Sequence, residues 1–209
     1  MRKESIMGKI FIIIGKSATG KDTIYKQLLK QEDINLKTVV MYTTRPIRKG
    51  ETEGVEYHFV DEKTLQELKN QKKVIEHRSY NTVHGIWHYF TVNDGQIDLD
   101  HNDYLMIGTL ETYEQICEYF GRDKVEPIYL EAPDDVRLLR SIAREQKQEQ
   151  PKYAEVCRRY LADEEDFSED KLKQNSIIKR YQNINMEECL SEVIHDIKNL
   201  TVNSNNSVV

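Results

Sequence analysis

Ile10-Phe11-Ile12-Ile13-Ile14-Gly15-Lys16-Ser17-Ala18-Thr19-Gly20-Lys21-Asp22-Thr23 is the stretch on which the fold turns. Its first five residues form an unbroken apolar, mostly β-branched run, the pattern of a central strand covered on both faces. The run stops at a glycine, and beyond Lys21 the apolar residues Ile24, Tyr25, Leu28 and Leu29 recur at helical spacing. A buried strand, a glycine-bearing turn and a helix make the opening unit of a parallel α/β sheet. The turn also carries chemistry. Its glycines let the backbone curl so that successive N–H groups face inward, the helix N-terminus adds partial positive charge, and Lys21 reaches into the same space, which makes a trap for phosphates.

Gly15 to Lys21 fits the first seven positions of the Walker A pattern. The eighth position is ordinarily Ser or Thr, whose hydroxyl ligates Mg²⁺, and here it is Asp22, followed by Thr23. The expected ATP-binding set is therefore Gly15, Lys16, Ser17, Ala18, Thr19, Gly20, Lys21, Asp22 and Thr23, with Asp22 the candidate Mg²⁺ ligand.

Working outward, further strands are expected at Thr38–Tyr42, Tyr57–Val60, Tyr104–Ile107 and Pro127–Leu130. Asp61 is placed to cap a helix bearing Leu65 and Leu68, and Cys189, Leu190, Val193, Ile194, Ile197 and Leu200 form one helical stripe near the end. Strands alternating with helices predict a doubly wound, mostly parallel sheet. The 209 residues suit a single α/β domain, and 201–209, rich in Asn and Ser, reads as a disordered tail.

Composition excludes several classes. A net charge of −6 opposes general attraction to nucleic acid, whose binding rests on Lys and Arg displacing counterions. No apolar run approaches the roughly 18 residues of a membrane span, and the run after Met1–Met7 is too short for an export signal. Cys117, Cys157 and Cys189 are widely spaced, giving neither a disulfide framework nor a thiolate zinc site, so a reducing cytoplasm is expected. His77, His84 and His88 lack a supporting Cys or Asp cluster and are not read as a metal site. The acidic run Asp163–Asp166 reads as a solvated helix face. Oligomeric state has no signature.

A second anion site is expected in Thr43-Thr44-Arg45-Pro46-Ile47-Arg48-Lys49-Gly50-Glu51-Thr52-Glu53-Gly54-Val55-Glu56-Tyr57-His58-Phe59. Arg45 and Arg48 offer planar guanidinium forks matched to a phosphate monoester, Tyr57 adds a hydroxyl, and Gly50 and Gly54 allow the turn that brings Tyr57 back. Arg140 and Arg144 follow the strand ending at Glu131, and Arg158 and Arg159 follow a polar run, positions from which arginines can close over a transferring phosphoryl group.

Thr43–Phe59 closely resembles the acceptor-phosphate motif of guanylate kinases, T-T-R-x-x-R-x-G-E-x-x-G-x-x-Y-x-F, and with the loop before it the chain is identified as a member of that family; a weaker likeness runs to about residue 200. The resemblance implies a P-loop NTPase fold with a small acceptor-binding β insertion and a helical lid. It implies one domain over residues 1–200, with a core of 8–42 and 101–200, the insertion at about 43–92 and the lid at about 140–165. ATP, carried with Mg²⁺, would phosphorylate GMP. Arg45, Arg48 and Tyr57 would hold the GMP phosphate, Glu76 would accept guanine N–H donors, and Lys21, Arg140, Arg144 and Arg159 would act on the transferred group. The chain departs from the pattern at Met41, where the family has Ser. It departs again at Ile107-Gly108-Thr109, which has no carboxylate where the family has Asp-x-Asp, and at His84-Gly85-Ile86. Around Arg180, Tyr181 and Asn183 it lacks the family's adenine-contacting Asn-Asp. The Gly-Lys-Asp sequence and Gly108 resemble ribose bisphosphate phosphokinases instead. Two alternatives stay open: a kinase for another phosphorylated acceptor such as ribose 1,5-bisphosphate, and a non-catalytic module that binds phosphorylated peptides.

Overall fold

The computed structural model describes residues 7–82 and 85–206, with side chains through Thr201. Strand β1 (Ile10–Ile14) is the hub, and all its residues are buried. It pairs in parallel with β7 (Asp103–Ile107) on one side and β8 (Val125–Glu131) on the other. With β2 (Leu36–Thr38) and β9 (Tyr181–Gln182) at the edges, the five-stranded sheet has the order β2-β7-β1-β8-β9.

The strand period of two explains the unbroken apolar run. Ile10, Ile12 and Ile14 pack with Tyr104, Met106 and Tyr129 against helix α3 (Leu110–Phe120). Phe11 and Ile13 face the other way, with Leu105, Ile128 and Leu130, against α1 (Lys21–Leu28) and α7 (Met186–Asn206). Each such side chain contributes about 1.5–3 kcal/mol when fully buried, so β1 anchors both layers. Helix α2 (Glu62–Asn70) starts at Asp61, whose carboxylate accepts the Thr64 N–H at 2.8 Å, as the cap reading required.

The stretch expected as one strand over Thr38–Tyr42 is divided. The Gln96 side chain bonds the backbone N–H and carbonyl of Val40 at 2.8 and 3.2 Å, so residues 39–41 leave the main sheet. They lead into β3 (Tyr42–Thr43) of a second sheet, of order β4-β3-β6-β5. That sheet also contains β4 (His58–Phe59) and the hairpin of β5 (Val74–Thr82) and β6 (Gly85–Val92). Because it grows from the carboxyl end of β2, it stands at the edge of the main sheet where the loop after β1 emerges, the edge at which open α/β sheets bind ligands. Helices α4 (Asp134–Glu145) and α5 (Tyr153–Asp166) follow β8 at that same edge, and α6 (Glu169–Gln174) leads toward β9.

Helix α7 runs to Asn206, five residues past the point where a disordered tail was expected to begin. The Thr201 hydroxyl bonds back to the Ile197 carbonyl at 3.0 Å, continuing the helical pattern. Residues 207–209 lie outside the described part. No helix among the described residues is long and apolar enough to cross a membrane.

Candidate active site

The loop between β1 and α1 closes tightly on its surroundings. Gly15 has φ +147°, and a Cβ there would fall 2.3 Å from the Leu130 carbonyl oxygen; at Gly20, with φ +95°, a Cβ would fall 2.3 Å from the Asn183 amide nitrogen. That amide donates to the Thr19 carbonyl at 2.7 Å, and Arg140 donates to the Asn183 carbonyl at 3.0 Å and to the Ala18 carbonyl at 3.4 Å. The Asn183 Oδ1 atom is the one buried side-chain polar atom among the described residues that has no partner. Lys21 folds its ammonium inward, donating to the Gly15 carbonyl at 2.6 Å and the Lys16 carbonyl at 2.9 Å. Burial pushes its pKa down to about 8, against the opposing pull of Asp163 and Asp22.

Carboxylates from α5 occupy the outer wall. Asp163 accepts the Ser17 backbone N–H at 2.7 Å and the Ser17 hydroxyl at 3.2 Å, and Glu164 accepts from the Lys16 ammonium at 2.6 Å. The reading of Asp163–Asp166 as a solvated face is thus corrected at its first two positions, because unpaired loop donors draw their carboxylates inward. Arg137 ties the arrangement together. It is 2% exposed, donates to Asp134, Asp163 and Glu164 at 2.7, 3.1 and 3.0 Å, and reaches the Ser17 carbonyl at 3.2 Å. Arg144 and Arg159 line a small cavity with Ser17, Arg137 and Asp163. Arg159 is half-exposed and donates to Glu155 at 2.9 Å. Asp22 is exposed in the first turn of α1, with Thr23 after it. A cleft of about 290 Å³ opens beside the loop, bordered by Lys16, Thr19, Tyr129, Glu131 and Gln182.

On the second sheet, Arg45 is nearly buried, and both arms of its fork donate to Glu51 at 2.8 Å. Its guanidinium carbon lies 5.4 Å from the centroids of both Tyr57 and Phe59, two rings that meet edge to face 6.0 Å apart. Hydrogen bonding to Arg45 holds the Glu51 carboxyl down at about 2. Arg48 is exposed at the turn, its backbone N–H donating to Glu51 at 2.8 Å. Arg45 and Tyr57 are therefore brought together, and Arg48 flanks them. Glu76 is 1% exposed; its two oxygens accept from Arg78 Nε at 3.1 Å and from the Thr91 hydroxyl at 3.0 Å. Burial raises its pKa, and Arg78 opposes the rise.

Ile107-Gly108-Thr109 offers no carboxylate, and its surroundings are tight. A Cβ at Gly108 would lie 2.9 Å from two side-chain carbons of Thr112, and Thr109 is engaged in a capping box with Thr112. His77 and His88 meet at 2.8 Å, while His84 lies outside the described residues; no cluster of three metal-ligating groups occurs among the described residues.

A family model described as guanylate kinase matches residues 7–92, the span that holds both the phosphate loop and the Arg45 pocket. Over that span the chain is similar to guanylate kinases. It is 43% identical over 70 residues to a guanylate kinase of Neisseria gonorrhoeae, covering 34% of each chain. It is 33% identical over 116 residues to one of Helicobacter hepaticus, covering 54% of this chain and 56% of the relative. The match thus spans about a third to a half of the length of these curated relatives. The crystal structure of guanylate kinase from Anaplasma phagocytophilum superposes with a TM-score of 0.65 at 20% identity, covering 92% of this chain and 86% of that one. That likeness establishes the P-loop NTPase fold through the part of the chain where sequence similarity has faded.

Sequence reasoning missed Arg137, Asp163, Glu164, Glu51 and Arg78. Glu51 was signalled by its fixed place between Arg48 and Gly54. Arg137 was signalled by its spacing, which puts it on the same helix face as Arg140 and Arg144. The loop partner of Asp163, Ser17, is 146 residues away, and nothing local announces it.

Proposed function

We propose that the chain transfers the γ-phosphoryl group of ATP to the phosphate of a nucleoside monophosphate, with GMP, the acceptor implied by its relatives' name, as the first to test. The observation that carries the reading is the Lys21 ammonium folded over the Gly15 and Lys16 carbonyls inside the loop, with arginines of α4 along one wall. Triphosphate oxygens meet the loop N–H groups and Lys21, and Arg144 and Arg159 close from the lid formed by residues 140–165. Arg140 holds the loop in shape through Ala18 and Asn183. The acceptor phosphate sits at Arg45, Arg48 and Tyr57, in the insertion of residues 43–92. An ionised phosphate needs no general base, so positioning and charge stabilisation carry the rate.

The oxygen donors at the start of α1, the exposed Asp22 carboxylate with the Thr23 hydroxyl, suit Mg²⁺, which is bound through few protein ligands and mainly by substrate phosphates and water. Mg²⁺ bound there would neutralise charge on the phosphates.

ADP release is measured with ATP and GMP, dGMP, other nucleoside monophosphates and ribose 1,5-bisphosphate, for the wild type and Lys21→Met. Removing this cation is expected to lower kcat at least about 100-fold, in line with loss of one oxyanion-stabilising donor. Turnover of the sugar phosphate without GMP turnover sinks the acceptor assignment. ATP binding without turnover of any acceptor sinks the enzyme reading.

A further inference from the structure

The face of β5 that carries Glu76 continues into the Arg45 pocket. Alternation places Glu76, Arg78 and Tyr80 on one face, opposite Thr91, Tyr89 and Trp87 of β6. The Tyr89 ring lies 5.6 Å from that of Tyr57 and 5.7 Å from that of Tyr80, and Tyr57 is one of the two rings against which Arg45 packs. A single aromatic fence therefore connects Arg45 to Arg78.

The two charged residues on this face are spent differently. Each oxygen of Glu76 already has a protein donor, and the side chain is fully buried. Arg78 spends its Nε on Glu76. At its far end, Nη2 lies 3.7 Å from the Met41 sulfur, a weak acceptor, and the guanidinium also hydrogen-bonds the Tyr80 side chain. The strong donors of Arg78 are thus held at a fixed angle beside the acceptor pocket and are not consumed by a second carboxylate. A purine edge at Glu76 would have to compete with a buried ion pair, and exposing one partner of such a pair is strongly unfavourable. Arg78 meets an anion by exchanging only an uncharged tyrosine and a thioether, and it keeps its pair with Glu76.

We propose that Glu76 is a positioning residue for Arg78, and that Arg78 joins Arg45 and Arg48 as a third guanidinium of the acceptor site. The acceptor is then recognised through its anionic groups and not through guanine N–H donors at Glu76. The inference rests on the acceptor pocket described under Proposed function.

The test compares dissociation constants of GMP, AMP and guanosine, and KM and kcat with GMP and AMP, for the wild type, Arg78→Lys, Arg78→Met, Glu76→Gln and the double variant Glu76→Gln/Arg78→Met. ATP affinity and the thermal transition serve as fold controls, and the double variant removes both charges so that none is left buried alone. GMP and AMP are expected within about tenfold of each other, a difference of about 1.4 kcal/mol or less. Arg78→Met and the double variant are expected to raise KM for both nucleotides at least about 30-fold with ATP affinity unchanged, and Arg78→Lys to restore part of the loss. Glu76→Gln is expected to weaken GMP and AMP in parallel. A GMP preference above about 100-fold that Glu76→Gln abolishes and Arg78→Met leaves intact overturns this inference alone. A wild type that binds ATP but no phosphate monoester overturns the pocket reading and this inference together.

Discussion

Replacing Asp163 by Ala is expected to tighten ATP binding, the opposite of what removing a residue from a binding loop ordinarily does. Asp163 places a carboxylate on the Ser17 N–H at 2.7 Å and on the Ser17 hydroxyl at 3.2 Å, donors that a nucleotide phosphate requires. Its side chain is 15% exposed, so the bonds are only partly screened by water. A hydrogen bond to a charged group contributes about 1.5–3 kcal/mol net, and only the shorter of the two has strong geometry. Because the displaced carboxylate keeps company with Arg137, the recovered energy is about 1.4 kcal/mol, or about tenfold in Kd. The same substitution is expected to lower stability by about 1 kcal/mol, less than the 3–5 kcal/mol of a fully broken buried pair, because Arg137 retains Asp134 at 2.7 Å and Glu164 at 3.0 Å. Calorimetric titration with ATP in EDTA, beside urea unfolding of the free protein, reads both numbers without contribution from a metal. Tighter binding joined to lower stability supports the reasoning. Weaker or unchanged ATP binding refutes it, since then Asp163 is not in competition with phosphate.

Gly20→Ala is expected to destabilise the fold by at least about 1 kcal/mol and to weaken ATP binding, because φ +95° disfavours a side chain and the added carbon collides with the Asn183 amide; urea unfolding and ATP titration check it. His77 gives a pH signature. Burial, with Lys69 and His88 nearby, pushes its pKa down to about 4 from 6.5, so the unfolded chain takes up the proton first as pH falls. Its contribution is fully present above pH 6.5 and is lost as pH drops toward 4. His77→Phe is expected to show a smaller fall in urea midpoint between pH 7 and pH 5 than the wild type; an equal fall would assign the dependence to other groups.

The unbroken run Ile10–Ile14 announced the buried hub because a strand sandwiched between helices has no solvent face to record. The phosphate loop was legible for a related reason: its glycines and lysine act through backbone geometry that is local in sequence. The hairpin of β5 and β6 was not. Its residues Glu76, His77, Arg78 and Ser79 carry polar groups on both faces, one turned to the pocket and one to the side of α2, where His77 meets His88 at 2.8 Å with Lys69 nearby. Polar residues on both faces erase the alternation that marks a strand. Asn and Ser composition reports weak burial, and α7, anchored by the buried Val193 and Ile197, nonetheless runs to Asn206.

Three of the cations that the sequence reserved for phosphate are paired with carboxylates, Arg45 with Glu51, Arg159 with Glu155 and Lys16 with Glu164, and Arg137 beside them is paired with Asp163. This resolves the apparent conflict between a net charge of −6 and two anion sites. A cation stored in an ion pair avoids the cost of standing uncompensated in a partly buried pocket, and it holds its fork in a fixed orientation. Phosphate binding is then an exchange of one anion for another, and the gain per contact is the difference between phosphate and carboxylate as acceptors. Selectivity follows from that difference. On the proposed function, a singly charged carboxylate ligand would gain little over the resident Glu or Asp, whereas a phosphate with more charge and more acceptor oxygens would displace it, so the resident carboxylates would bias both sites toward phosphate esters.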